Sequence, residues 1–130
     1  MYPRPLPARY YRLDFGRMRV TRRFPLRIRS LLHAHTQVRP IAATAQLGFI
    51  LRRTTGSAVM RNRLKRVLRH QLAAFLAAQP HEAWQQQASF VVTWEGPTPL
   101  TEAAIQSAVA VWRQWLAESP APAVRAVQAS

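Results

Sequence analysis

One stretch dictates how this chain folds: Gly56-Ser57-Ala58-Val59-Met60-Arg61-Asn62-Arg63-Leu64-Lys65-Arg66-Val67-Leu68-Arg69. Gly56 ends a turn and Ser57 is a favoured N-cap, so the pattern predicts a helix from Ala58 to about Ala78. On a helical wheel of this segment, the apolar and the cationic side chains separate onto opposite sides. The apolar side is predicted to face the core, and it contains Met60, Leu64, Val67, Leu68 and Phe75.

The other side of this helix is almost entirely cationic. Like charges three or four residues apart destabilise an isolated helix by about 0.2–0.5 kcal/mol per pair, and no acid in the stretch offsets them. A helix that keeps this repulsion is expected to bind an anion, with a merely solvated surface as the alternative. Arginine suits phosphates because its planar guanidinium donates two parallel hydrogen bonds. The predicted binding residues on this side are Arg61, Asn62, Arg63, Lys65, Arg66 and Arg69.

The composition points to the same kind of partner. The 130 residues carry 19 Lys+Arg against 5 Asp+Glu, for a formal charge of +14. The imbalance is confined to residues 1–69, which sum to +16, whereas residues 70–130 sum to −2. An arginine-biased genome would explain why Lys65 is the only lysine, but not why acids are scarce beside the arginines. We therefore predict a polyanion partner, with nucleic acid as the first candidate.

Several function classes are disfavoured by what the sequence lacks. The absence of Cys excludes a disulfide scaffold and a cysteine nucleophile. Asp14 is the only Asp, and neither a nucleophile elbow nor a phosphate-binding Gly loop occurs, so no catalytic residue is predicted. His33 and His35 lack a third ligand, so no metal site is predicted. No apolar run reaches the roughly 18 residues that a membrane span needs, so a membrane partner is not expected.

Three strands are predicted around the helix. From Phe24, apolar residues alternate with polar ones over residues 24–29, which predicts a half-buried strand with Phe24 on its apolar face. Because proline cannot donate to a ladder, this strand should start at Pro25 or lie at a sheet edge. Residues 45–53 alternate in the same way, and residues 89–94 form the strongest strand signal in the chain.

The remaining sequence predicts a second long helix over residues 102–117, capped by Thr101. Trp112 is expected in its buried stripe, with Trp115 as a partly exposed neighbour. A short helix over residues 9–19 is also predicted. The fold class is therefore α+β, with a small, mainly antiparallel sheet and packed helices. A Pro/Arg-rich arm over 1–12, one domain over 13–118 and a tail over 119–130 are the expected divisions.

The stretch from Gly56 to Arg69 closely resembles the signature of the bacterial ribonuclease P protein component. That signature reads G-x-A-V-x-R-N-R-x-K-R-x-x-R, and every specified position is filled. Upstream, Leu47-Gly48-Phe49 stands where the family has an L-G-apolar strand. Downstream, residues 90–116 match an apolar strand, a Pro-containing turn and a final helix. The resemblance covers roughly residues 24–117, and Asp14-Phe15 looks like the D-F pair of the family's first helix.

The resemblance implies both a fold and a role. The fold would be a compact α+β domain with a split, left-handed β-α-β unit, as in the ribosomal protein domain of similar plan. The role would be that of the protein subunit of ribonuclease P, an endoribonuclease whose RNA carries the catalysis and which removes 5′ leaders from precursor tRNA. The implied cofactor is Mg²⁺ held mainly by the RNA, and the implied partners are ribonuclease P RNA and precursor tRNA. The implied location is the bacterial cytoplasm, with no obligatory protein partner.

The resemblance also assigns residues outside the helix. Arg52 and Arg53 stand near the family's basic pair before the turn, and would add to the RNA-binding surface. A cleft for the single-stranded leader would involve Phe15, Arg19 and Arg27. Two alternatives stay open at the level of sequence. One is a structural RNA-binding protein of the ribosomal type without a role in cleavage, and the other is a DNA-binding module that uses the same helix in a major groove.

Overall fold

A computed structural model of the chain describes residues 4–5, 18–33, 46–78 and 87–118. It contains five strands, a short 3₁₀ turn and two long helices within these ranges. In chain order they are β1 (Arg4–Pro5), β2 (Arg19–Arg23), β3 (Leu26–His33), β4 (Gln46–Ile50), the 3₁₀ turn (Arg53–Thr55), α1 (Ala58–Ala78), β5 (Gln87–Trp94) and α2 (Glu102–Glu118).

The strands form one mixed sheet in the order β1-β4-β5-β3-β2. The antiparallel pairs β2–β3 and β3–β5 extend over five and eight positions, and the parallel pairs β1–β4 and β4–β5 over two and five. Antiparallel pairing therefore predominates, as predicted. Helix α1 connects the parallel strands β4 and β5, which are direct neighbours, so no strand splits this β-α-β unit. The handedness of its crossover stays a prediction.

The two long predicted helices and the strand β5 are confirmed, whereas two strand boundaries differ. Strand β3 begins at Leu26, directly after Pro25, which leaves Phe24 in a turn and 72% exposed. The prediction that Phe24 belongs to the apolar face is therefore wrong. Strand β4 ends at Ile50, and the residues after Arg52 turn into the 3₁₀ helix that leads to α1.

Two strands were not predicted. Strand β2 includes Arg19, the last residue of the predicted short helix, while the rest of that helix lies outside the described residues except for Met18. Strand β1 lies in the Pro/Arg-rich arm, for which no strand was predicted. Its place at the sheet edge explains how Pro5 is accommodated, since an edge strand does not require every N–H in a ladder. The predicted tail over 119–130 lies outside the described residues.

Both helices pack on one face of the sheet and form the core with it. Helix α1 contributes Leu64, Leu68 and Leu72 at intervals of four residues, which is the spacing of one helical face. The Trp112 indole Nε1 donates to the carbonyl oxygen of Leu68 at 3.1 Å, which ties α2 to α1. Together with α2 and the sheet, these leucines bury Leu26, Ile28, Leu47, Phe90, Val92, Trp94, Leu100, Ile105, Ala108, Val109, Trp112, Trp115 and Leu116.

Trp115 is buried, so the prediction of partial exposure is wrong. Its ring stacks on Trp112 with centroids 5.5 Å apart, and it meets the edge of Phe90 at 5.8 Å. Residues three apart on a helix share a face, and the sheet beneath α2 is wide enough to accommodate both indole rings. On α1, Met60, Val67 and Phe75 are half-buried at the margin of the core.

Candidate nucleic-acid interface

The start of the cationic helix α1 is held by a cap and by a close backbone contact. Ser57 Oγ accepts a hydrogen bond from the Met60 N–H at 3.2 Å, as the N-cap prediction required. The Leu100 N–H donates to the Thr55 carbonyl at 2.6 Å. A Cβ on Gly56 would lie 3.2 Å from Leu100 Cβ, so glycine permits this approach. These contacts with Leu100, in the turn before α2, therefore fix the direction in which α1 continues from the sheet.

The six residues predicted on the polar side of α1 lie together, and four of them point most directly to solvent. Asn62, Arg63 and Arg66 are exposed, and Lys65 is half-exposed beside them. Within the part of the chain that the structure describes, neither Lys65 nor Arg66 pairs with an acidic side chain. The Lys65 ammonium and the Arg66 guanidinium are thus available to phosphate oxygens, which accept charge-assisted hydrogen bonds from such groups.

Arg61 and Arg69 are half-buried and partly engaged within the protein. Arg61 Nε donates to the Gly56 carbonyl at 3.2 Å, which fixes its stem along the turn and leaves its terminal Nη groups out of that bond. The guanidinium of Arg69 lies over the Phe49 ring at 5.5 Å from the centroid, a cation–π contact at strand β4. Its Nε is buried and has no hydrogen-bond partner among the described residues. Arg61 therefore extends the cationic surface at its start, and Arg69 forms its border.

Arg63 is already paired inside the protein. Its Nε and Nη2 donate to the two carboxylate oxygens of Glu102 at 2.6 and 2.5 Å, which joins the second turn of α1 to the first residue of α2. Gln106 donates to the same carboxylate at 3.2 Å. These hydrogen bonds raise the pKa of Arg63 and lower that of Glu102. Since the two side chains are 46% and 51% exposed, the pair is accessible to water and to a competing phosphate.

Arg52 and Arg53 extend the cationic surface beyond α1. Both are exposed. Arg53 begins the 3₁₀ turn that leads into the helix and Arg52 directly precedes it, with the Thr55 N–H donating to the Arg52 carbonyl at 2.9 Å. The structure thus brings both arginines to the first turn of α1. The signature helix and this turn form one continuous basic surface, which we call the α1 basic surface: Arg52, Arg53, Arg61, Asn62, Arg63, Lys65, Arg66 and Arg69.

Of the three residues predicted for a leader cleft, the two that the structure describes lie on opposite faces of the sheet. Phe15 lies outside the described residues. Arg19 is paired with Ser30, on the face of the sheet that the helices cover, whereas Arg27 is on the opposite face. The prediction that Arg19 and Arg27 share one site is therefore wrong, because β2 and β3 pair in a register that places them on different faces.

A different group of cations surrounds Arg27. Arg22 is directly opposite Arg27 in the sheet, and Arg29 is two residues further along β3 on the same face. Sequence alternation placed Arg27 and Arg29 on one polar face, but Arg22 was missed because β2 carried no strand signal. We call Arg22, Arg27 and Arg29 the sheet arginine cluster.

The sheet arginine cluster is held by two polar contacts. Arg27 Nη2 lies 2.6 Å from Glu95 Oε2, and Arg29 Nη1 donates to Thr93 Oγ1 at 3.2 Å. Burial, followed by the positive charge of Arg27, lowers the pKa of Arg29, while Glu95 acts against that shift. The face opposite the helices is therefore positive, yet one of its arginines already has an internal anion.

The described acids build no catalytic or metal centre. Each of the three glutamates in the described ranges pairs with an arginine: Glu95 with Arg27, Glu102 with Arg63, and Glu118 with Arg23 at 3.4 Å. Among the described side chains, no group of three or more His, Cys, Asp or Glu could hold a metal ion. In the same part of the chain, neither helix combines the length and the apolar character of a membrane span. The arrangement is suited to anion binding.

Comparisons with known proteins agree with this geometry. A family model described as Ribonuclease P matches residues 12–113. The fold is similar to that of a Staphylococcus aureus RNase P protein, with a TM-score of 0.55 and 12% identity, covering 92% of this chain and 94% of that chain. It is also similar to an RNase P protein from Thermotoga maritima, with a TM-score of 0.56 and 17% identity, covering 85% of this chain and 96% of that chain. Curated proteins gave no significant match. At these identities the structures show a shared fold, and the family match spans more than half of the chain.

Proposed function

Because this chain belongs to the ribonuclease P protein family, we propose a division of labour between the protein and its RNA. The chain is a protein subunit of ribonuclease P, and it takes part in an endoribonuclease complex. We propose that the partner RNA carries the catalysis and that the protein supplies cations. The complex would cleave the 5′ leader from precursor tRNA in the bacterial cytoplasm, without an obligatory protein partner.

The observation that carries this proposal is the α1 basic surface. Its helix is fixed at the start by the Ser57 cap and by the Thr55–Leu100 hydrogen bond. Lys65 and Arg66 project from it without an acidic partner in the described ranges. Bringing a catalytic RNA and a precursor tRNA together concentrates phosphate charge, and preorganised cations lower that repulsion. The protein would therefore act by binding and orienting RNA.

The described carboxylates do not fit a protein-held magnesium site. Glu95, Glu102 and Glu118 pair with three different arginines, so each carboxylate is already neutralised. A magnesium ion needs oxygen ligands grouped at near-octahedral geometry, and no such group occurs among the described side chains. We therefore propose that Mg²⁺ is held mainly by the partner RNA.

The ribosomal-type alternative would use the same basic surface without any cleavage, and a DNA-binding module would place α1 in a major groove. The identity of the bound nucleic acid separates the three. We would isolate the tagged full chain from its own bacterial source and sequence the nucleic acid that co-purifies. Recovery of the ribonuclease P RNA as the main species supports the proposal. Predominant ribosomal RNA would favour the ribosomal alternative, and predominant DNA would favour the major-groove alternative.

Two variants show whether the α1 basic surface is responsible for that recovery. A variant that replaces Arg61, Lys65 and Arg66 with glutamine should recover much less of the RNA at the same expression level, because it lacks cations of this surface. The control replaces two cations outside this surface, Arg19 on β2 and Arg113 on α2, with glutamine. Both are exposed, and this variant should recover nearly as much RNA as the unaltered chain. Equal recovery by all three proteins would contradict the assignment of this surface.

A further inference from the structure

The sheet arginine cluster concentrates three cations on one face of the sheet. Arg22 and Arg27 occupy directly opposite positions on β2 and β3. Side chains in such positions have Cβ atoms only about 4.5–5.5 Å apart, and like charges there destabilise the sheet. Arg29 joins them from the next position on the same face, since side chains two residues apart on a strand point the same way. The cluster therefore favours an anion in its midst.

Partial burial of Arg27 and Arg29 strengthens the repulsion between the positive charges of the cluster. The Arg27 side chain is only 25% exposed, and its Nε is buried without a hydrogen-bond partner among the described residues. The pKa of Arg29 is lowered by burial and by the charges of Arg27 and Arg22. Partial burial thus makes the positive charges of Arg27 and Arg29 more costly to hold close together, and a bound anion would relieve their mutual repulsion.

Among the described residues, Glu95 is the acid that contacts the sheet arginine cluster. Its carboxylate reaches Arg27 Nη2 at 2.6 Å from the turn after β5, and its backbone N–H donates to the Pro25 carbonyl at 2.8 Å. This hydrogen bond fixes the main chain at Glu95, so the carboxylate is preorganised beside Arg27. The contact engages one terminal nitrogen of Arg27, leaving three cations against one carboxylate in the described part of this face.

We propose that Glu95 acts as a built-in competitor for an RNA phosphate at the sheet arginine cluster. A phosphodiester of single-stranded RNA binds there by displacing the Glu95 carboxylate from Arg27. Glu95 thereby lowers the affinity of this face for single-stranded RNA. This inference rests on the proposed function, since it takes single-stranded RNA as the ligand of this face.

Displacement follows from the geometry of Arg27. A phosphate that approaches Arg27 while Glu95 remains in place meets a second negative charge at close range, and two anions near one guanidinium repel each other. The repulsion is weakly screened because the Glu95 side chain is only 32% exposed. A phosphate should therefore bind Arg27 more weakly while the carboxylate is in place, and more tightly once the carboxylate moves away or is removed.

The test uses Glu95→Gln in the full chain and a labelled single-stranded decauridylate as the probe. Fluorescence anisotropy at about 100 mM salt should show binding that is about three- to ten-fold tighter than that of the unaltered chain. The matched control is Glu118→Gln, which removes the same charge from an Arg23 pair outside the cluster. That variant should change the affinity by less than about two-fold. Adding Arg27→Gln to Glu95→Gln should abolish the gain.

The thermal midpoint of each variant is measured by circular dichroism before binding is compared. Glu95→Gln removes the carboxylate that contacts Arg27 within this group of like charges, so the variant should melt at a lower temperature while binding RNA more tightly. If Glu95→Gln does not fold, Glu95→Asp replaces it, because its shorter side chain retracts from Arg27 and should also tighten binding.

Binding by Glu95→Gln that is no tighter than binding by Glu118→Gln would overturn the inference. Cleavage of precursor tRNA with the ribonuclease P RNA is measured in parallel for the unaltered chain. If that cleavage is stimulated while Glu95→Gln shows no gain, only the competitor role of Glu95 fails. If the unaltered chain does not bind the ribonuclease P RNA, the proposed function itself fails.

Discussion

Neutralising the α1 basic surface should change how RNA binding depends on salt. The perturbation replaces Arg61, Lys65 and Arg66 with glutamine, which keeps helix propensity high and side-chain size similar. None of the three side chains belongs to the buried core, so the variant should fold. None of these three side chains makes an ion pair with an acid in the described ranges, so all three are able to contact a phosphate.

The size of the effect follows from the number of phosphates that the variant no longer neutralises. Each neutralised phosphate contributes about 0.7–0.9 to the slope of log K against log salt. Three phosphates therefore predict a slope that is shallower by about 2–3 units. When the salt concentration rises from 50 to 200 mM, the affinity of both proteins for RNA should fall. The fold-loss of the unaltered chain should be about 15 to 60 times the fold-loss of the variant. From the sequence alone, Arg63 would count as a further phosphate contact. Its pairing with Glu102 makes its expected contribution to the slope smaller.

The assay is filter binding or anisotropy with ribonuclease P RNA over a series of salt concentrations. The control replaces Arg19 and Arg113, whose exposed side chains lie outside the α1 basic surface. That control should leave the slope nearly unchanged, because its charges act only at long range and are screened. A slope that is unchanged in the triple variant, or that changes equally in the control, would remove α1 from the RNA interface.

Other predictions concern the core and the link between the helices. Leu68→Ala should lower the free energy of unfolding by about 2–5 kcal/mol in urea titrations, because Leu68 is fully buried between α1 and the sheet. Trp112→Phe should lower it by about 1–3 kcal/mol, since it removes the donor to the Leu68 carbonyl and part of a stacked ring. The hydrogen bond from Arg63 holds the pKa of Glu102 below its ordinary value of 4.5. A carboxylate with a depressed folded pKa stabilises above its unfolded pKa and loses that contribution as the pH falls through its folded pKa. The thermal midpoint of the unaltered chain should thus exceed that of Glu102→Gln near pH 6, and the difference should vanish at acid pH.

Local periodicity was sufficient to predict the two long helices and the central strands. The boundaries of α1 follow from Ser57 at its start and from the regular spacing of its apolar residues. Strand β5 follows from its unbroken apolar run, and its central place in the sheet explains why that run is buried on both faces. Strand β2 had no such signal, because Arg19–Arg23 contains four polar residues and only one apolar residue. Pairing with β3 makes it a strand.

The candidate site shows the same limit at the level of single residues. The α1 basic surface could be read from the sequence, since most of its residues share one helix. The pairing of Arg63 with Glu102 could not, because 39 residues separate them and packing of α1 against α2 brings them together. The meeting of Arg22 with Arg27 depends on the register between β2 and β3. Contacts that tertiary structure creates leave no periodic signal in the chain.

Cleavage of precursor tRNA at low Mg²⁺ is the experiment on which the functional assignment depends. The full chain is mixed with the ribonuclease P RNA of its own source, and 5′-leader removal is compared with that by the RNA alone. The proposed role predicts faster leader removal with the unaltered chain and little stimulation by the variant that lacks Arg61, Lys65 and Arg66. A chain that binds the RNA but leaves the cleavage rate unchanged would contradict a role in leader removal.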